Sequence, residues 1–263
     1  MLLLILWNLP MLAYLLRQLG GQLRIVYEAK PVEEVLQDTA YSGPVRTKLS
    51  LIQDVRQYGM YSLGLEDTKN YTTFYDTQGK DVLWVVEAAE AFALKAYEWK
   101  FPVMGKFSYK GYFRKELAER EKTRLEALGY DAAVRDVEAW STLGYFRDPV
   151  LSLVLSRNTG RLAELILHEL FHATVFVRND MELNENLATF VGQEGAKDFL
   201  DTYYGPQSTE KKAYLHWLED KAHYRAHFRR GALALQQLYQ QMPDSLPESE
   251  KLVRKHRALR HIQ

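Results

Sequence analysis

The stretch from Gly160 to Val177, GRLAELILHELFHATVFV, constrains this chain more than any other. Leu162, Leu165, Ile166, Leu167, Leu170, Phe171, Val175, Phe176 and Val177 cover nearly the whole circumference of the helix this spacing predicts. A helix that is apolar all round is a buried one. Yet it also carries His168, Glu169 and His172. Burying such groups without partners costs several kcal/mol, so the fold must supply strong partners. Residues four apart lie on one face, one turn above the other. His168 and His172 can therefore each direct a ring nitrogen to one point, with Glu169 beside it. Two histidines at that spacing flanking a glutamate suit a zinc ion with a carboxylate base. The chain contains no cysteine, so any transition metal must be held by His, Asp and Glu, and there are seven histidines in all.

The third ligand is expected from the next helix. The turn RNDM is short, so residues 182–199 should run back antiparallel against residues 160–177. That brings Glu185 near the level of His172. Ala188, Gly192 and Ala196 follow Glu185 along one face and let the two helices approach closely. Leu183, Leu187, Phe190 and Val191 form an adjoining apolar stripe. Glu182 competes but sits close to the turn, and Glu194 projects beyond the histidines. Asn184 and Thr189 are placed to orient the ligands. His223 and His227 are also four apart, with His216 two turns earlier. Their segment is polar and lacks a glutamate beside the first histidine, so they are expected at the surface.

Around this core the chain reads as α+β and mainly helical, with a small antiparallel sheet. PVEEVLQD opens with proline at a helix start. GPVRTKLSLIQDVRQYG has helical spacing up to Gly59, residues 114–129 end at a glycine suited to a helix C-terminus, and residues 207–241 are helical. NYTTFYD and DVLWVVEAA read as strands joined by the turn TQGK, hence a hairpin. YDAAVRDV is a further strand, and the cluster Phe107, Tyr109, Tyr112 and Phe113 reads as core. The basic end, ESEKLVRKHRALRHIQ, reads as a helix with a solvated charged face. Lys and Arg equal Asp and Glu in number, so no net field draws the chain to nucleic acid. The first charge comes only at Arg17. Residues 1–19 are therefore expected to be a signal-anchor or export segment, with residues 20–263 as the folded domain. That predicts a cell-envelope location, membrane-anchored or periplasmic, and membrane association through the N-terminus.

His168-Glu169-Leu170-Phe171-His172 followed by Asn184-Glu185-Asn186-Leu187-Ala188 resembles the zinc sites of gluzincin metallopeptidases. More widely, GGQLRIVYEAKPVEEVL, VLWVVEAAEAF, WKFPVMGKFSYKGYF and WSTLGYFRDPVLS resemble, in order, blocks of a bacterial family of zinc aminopeptidases, over roughly residues 20–240. The resemblance implies a zincin-like fold, zinc on His168, His172 and Glu185, and Glu169 as general base on a peptide substrate. It also implies a tyrosine that stabilises the oxyanion, for which Tyr145 and Tyr112 are the candidates. An edge strand would line the substrate cleft, with Glu87 and Glu90 near its end to bind a free amine. Two departures stand out. The family continues beyond Gln263 with more helix, and its members often carry an export signal or a lipidated cysteine, whereas this chain has no cysteine. Two other readings follow from the same residues: a membrane-tethered zinc protein that binds without turnover, and an endopeptidase. The sequence leaves the oligomeric state open.

Overall fold

The computed structural model describes residues 9–101, 105–137, 148–177 and 180–262. In chain order the elements are α1 (Leu9–Glu28), β1 (Lys30–Pro31), α2 (Val32–Gln37), α3 (Gly43–Tyr61), β2 (Thr73–Tyr75), β3 (Trp84–Glu90), β4 (Trp99–Phe101), β5 (Gly105–Phe107), β6 (Tyr109–Tyr112), α4 (Lys115–Ala127), β7 (Tyr130–Asp136), β8 (Val150–Leu151), α5 (Thr159–Thr174), α6 (Met181–Tyr204), α7 (Thr209–Gln240) and α8 (Glu248–Ile262). Helix dominates, and the strands are short. The chain divides into two compact units, residues 1–81 with 138–216 and residues 82–137 with 217–263.

In the first unit α3, α5 and α6 share one apolar core. Leu49, Ile52 and Val55 of α3, Leu162, Ile166, Leu167 and Leu170 of α5, and Ala188, Ala196, Phe199 and Leu200 of α6 are all buried. Glycine allows the tightest approaches. A Cβ on Gly192 would stand 2.8 Å from the Glu164 carbonyl oxygen and 3.1 Å from the His168 Cβ. One on Gly160 would enter the buried ring of Tyr214, at 2.3 Å. Both site helices have capped starts: the Asn158 side chain accepts from the Arg161 N–H, and that of Asp180 from the Leu183 N–H. A small sheet, ordered β1-β2-β8, flanks them, with β1 antiparallel and β8 parallel to β2.

In the second unit β3 is the centre of an antiparallel sheet ordered β6-β3-β7, and β4 pairs with β5. Trp99, Val85, Val86, Ala118 and Leu125 are buried there. Lys255 of α8, read from sequence as part of a solvated face, is buried instead. Its ammonium pairs with Asp131 and donates to the Ala91 carbonyl at 2.8 Å.

Three further expectations need correction. The hairpin does not form: β2 and β3 belong to different sheets and different units. The turn itself does form, with Gln78 and Gly79 at φ 53° and 71° and the Lys80 N–H on the Thr77 carbonyl. Thr77, however, is tied to Ser152 through its N–H and its hydroxyl, both at 2.9 Å, and Phe74 pairs with Val150. Long-range partners thus take the strand that a local pattern assigned to its neighbour. Second, α5 stops at Thr174, and Val175 is extended at φ −133°. Val175, Phe176 and Val177 are exposed rather than buried. Third, the apolar stripe of α6 lies largely outside the core, with Leu183 exposed and Phe190 64% exposed. Helix α1 runs through Gly20 and Gly21 without a break. Among the described residues no helix is long and apolar enough to cross a membrane.

Candidate metal centre

Helix α6 returns antiparallel to α5. Its residue 185 meets 168 and 172, while its residue 192, further along, meets 164 and 168. This pairing carries Glu185 onto the histidine face. The His172 Nε2 lies 3.1 Å from the His168 Nε2 and 3.4 Å from the Glu185 Oε1, and the His168 Nε2 lies 3.5 Å from the Glu185 Oε2. The two imidazole rings stand nearly perpendicular, at 87°. One ligand atom from each of the three residues lies within 4.8 Å of the others, and among the described residues this is the group able to hold a metal ion.

Those separations test whether zinc fits. In a tetrahedron with Zn–N and Zn–O bonds of about 2.0–2.1 Å, neighbouring donor atoms are roughly 3.3 Å apart. The two histidine nitrogens stand 3.1 Å apart, and each has a different oxygen of Glu185 near it, at 3.4 Å from His172 and 3.5 Å from His168. Two neutral imidazole nitrogens and a carboxylate are a donor set that zinc favours, and three ligands leave the fourth tetrahedral position open. Burial shifts the His172 imidazole below its ordinary range, partly offset by the Glu185 charge, which keeps the ring in the neutral form a metal needs. The other ring nitrogen of His172, Nδ1, is buried and has no hydrogen-bond partner among the described residues. Such a ring is costly unless its exposed-side nitrogen is well used.

Glu169 is half-buried beside these three residues, its Oε2 shut off from solvent. Asn184 does not touch the ligands. It clamps the backbone of Val177, accepting from the N–H and donating to the carbonyl, both at 2.8 Å. It therefore fixes where α6 begins relative to the end of α5, and so the level of Glu185. Thr189 is half-buried one turn beyond Glu185. Glu182 is exposed in the first turn of α6. Tyr145 and the segment from Trp140 to Phe146 lie outside the described residues.

Tyr112, Glu87 and Glu90 belong to the second unit. Tyr112 is buried on β6, with the Lys110 ammonium 5.5 Å from its ring centre. Glu87 receives two hydrogen bonds from the Arg135 guanidinium, at 2.9 and 3.1 Å, and Glu90 receives one from Lys95 at 2.7 Å. His223 and His227 are exposed on α7. Sequence reading missed Glu164, one turn before His168. It is buried and accepts from the hydroxyl of Tyr214 and the amide of Gln193. The signal was present, as a third polar residue at four-residue spacing on an otherwise apolar helix.

A family model described as Putative aminopeptidase matches residues 13–263, through both site helices. The chain belongs to that family. No curated protein matches the chain, and no solved structure does. The family's description points to a peptidase.

Proposed function

We propose that this member of the putative aminopeptidase family is a zinc-dependent peptidase with a zincin-like arrangement, in which His168, His172 and Glu185 hold the ion and Glu169 is the general base. The observation that carries the reading is the convergence of His168, His172 and Glu185, whose ligand atoms lie within 4.8 Å of one another, with a carboxylate on the residue adjoining His168. Zinc held there would supply Lewis-acid polarisation of a water and of the scissile carbonyl. Glu169 accepts the proton of that water and passes it to the leaving amine. Asn184 holds the turn so that Glu185 stays level with both histidines.

Glu169→Gln tests the assignment. The amide keeps the shape but cannot accept the proton, so zinc content by elemental analysis should remain about one per chain while kcat falls on the order of 10²–10⁴-fold. Loss of zinc in this variant would make Glu169 a ligand or a support and remove it as the base. Full zinc with no turnover of any peptide by the unaltered chain would favour a zinc protein that binds without cleaving.

The choice of aminopeptidase over endopeptidase rests on the family description. A peptide and its N-acetylated form decide it. Acetylation should suppress cleavage, and equal cleavage with internal fragments by mass spectrometry would make the chain an endopeptidase.

A further inference from the structure

The middle of α7 holds cations that nothing in the chain neutralises. From Lys221 to Pro243 the sequence has four cationic residues, Lys221, Arg225, Arg229 and Arg230, and no acidic one. Residues 222–230 are exposed without exception. In the same unit Arg124 pairs with Glu121, Arg135 with Glu87 and Arg254 with Glu250. Arg225, Arg229 and Arg230, by contrast, make no ion pair among the described residues. Arg225 and Arg229 are also four residues apart, where like charges on a helix repel. What would stabilise such a row is anionic charge from outside the chain.

Apolar side chains share the helix with that charge. Tyr224 and Phe228 are 64% and 56% exposed, and their ring centres lie 4.4 Å apart on one face. At about 100° per residue, Lys221 and Arg225 fall on one side of that face, and His227, His223 and Arg230 on the other. Further along, the face is covered: a Cβ on Gly231 would stand 2.5 Å from the Cγ2 of Ile262, in α8. The open part is therefore the aromatic pair with cationic groups along both edges. Basic groups on either side of an apolar stripe hold a helix in the plane of a membrane interface, with their stems along the apolar phase and their charges among the headgroups.

We propose that residues 221–230 of α7 lie on the surface of an anionic lipid bilayer, with Tyr224 and Phe228 entering the boundary between headgroups and acyl chains and the arginines on lipid phosphates. The charge sets the sign of the partner, and the rings set its kind. A nucleic acid would use the arginines, but the two rings lie against each other and leave no slot for a base between them, whereas a bilayer takes them as one apolar patch. The helix lies on the membrane and does not cross it. The metal site uses none of these residues, so the proposal stands apart from the peptidase reading.

Flotation of the full chain with vesicles tests it. Vesicles of phosphatidylcholine with phosphatidylglycerol should carry the protein, those of phosphatidylcholine alone should carry far less, and added salt should release it from the anionic ones. Arg225→Gln, Arg229→Gln and Arg230→Gln together should lower partition into the anionic vesicles on the order of 100-fold, about fivefold for each arginine. Arg114→Gln, Lys115→Gln and Arg120→Gln together remove as much charge from other exposed positions of the same unit and should leave partition within about twofold. Tyr224→Ser with Phe228→Ser keeps the charge and should lower partition on the order of tenfold. An apolar N-terminal segment would enter both kinds of vesicle alike, so equal partition into the two overturns the proposal. Equal losses in the two triple variants, or an undiminished partition without the two rings, also overturn it. In the last case, capture of a single-stranded oligonucleotide through the same arginines would make the partner a nucleic acid.

Discussion

Two groups of charged side chains, Lys255 with its partners in the second unit and the His168–His172–Glu185 trio in the first, are built in opposite ways. In the second unit, the buried Lys255 and the largely covered Glu121 meet protein partners. Lys255 has the Asp131 carboxylate and the Ala91 carbonyl, and Glu121 accepts from the Trp99 indole and from Arg124, with Lys110 nearby. In the first, two imidazoles and a carboxylate point their ligand atoms at one another, 3.1 to 3.5 Å apart. Donor atoms converge that way around a cation, whereas a hydrogen-bonded network alternates donors and acceptors. Buried polarity that closes on itself supports a fold, and buried polarity that converges on a point is a site.

The largest expected effect breaks the first kind of burial. His168→Ala or His172→Ala should abolish zinc binding, read as loss of about one zinc per chain by elemental analysis. Glu185→Ala should weaken binding strongly. Stoichiometric zinc in Glu185→Ala would move the third ligand to Glu182 and leave the 3.4 and 3.5 Å distances without a function.

A smaller effect sharpens the comparison without touching a ligand. A Cβ at Gly192 would press on the Glu164 backbone carbonyl, which cannot turn aside as a side chain can. In Gly192→Ala α6 must therefore lift from α5, and Glu185, two turns earlier, lifts with it. Zinc affinity should fall on the order of tenfold, from an overpacking cost of about 1–3 kcal/mol. Gly20→Ala is the control, since nothing lies within 4 Å of that position and zinc affinity should not change. Equal affinities in the two variants would mean that close helix approach does not set the site.

How far the sequence disclosed this arrangement follows from the range of the interactions involved. The spacing of His168 and His172 and the small residues at 188, 192 and 196 are local signals, and the structure places them in two helices packed closely together. Long-range choices were opaque. The pattern of residues 70–76 announces a strand but not that β8, some 75 residues on, is its neighbour. The run Val175 to Val177 fits a helix as well as an extended segment, and the Asn184 side chain, from another element, helps decide between them. Lys255 looks solvated in a basic stretch until β7 brings Asp131 to it. Partner choice across a chain is a property of the packed state, so single-sequence periodicity does not carry it.

The smallest effect concerns that lysine. Lys255→Met keeps the length of the side chain and its apolar packing beside Phe92, whose ring centre lies 5.6 Å from the ammonium. It removes the ion pair with Asp131 and the hydrogen bond to Ala91. Asp131 is about half exposed, so water can take over its solvation and the loss is well short of that for a fully buried pair. A cost of about 1–2 kcal/mol follows, the value of a charge-assisted hydrogen bond. In a chain of this size that lowers Tm by about 2–8 °C. Zinc content should stay at one per chain, because Lys255 closes on its own partners and contributes nothing to the trio. A Lys255→Met chain that melts as expected but loses zinc would show that the second unit's buried charge serves the site as well as the fold, and the contrast between the two groups would have to be redrawn.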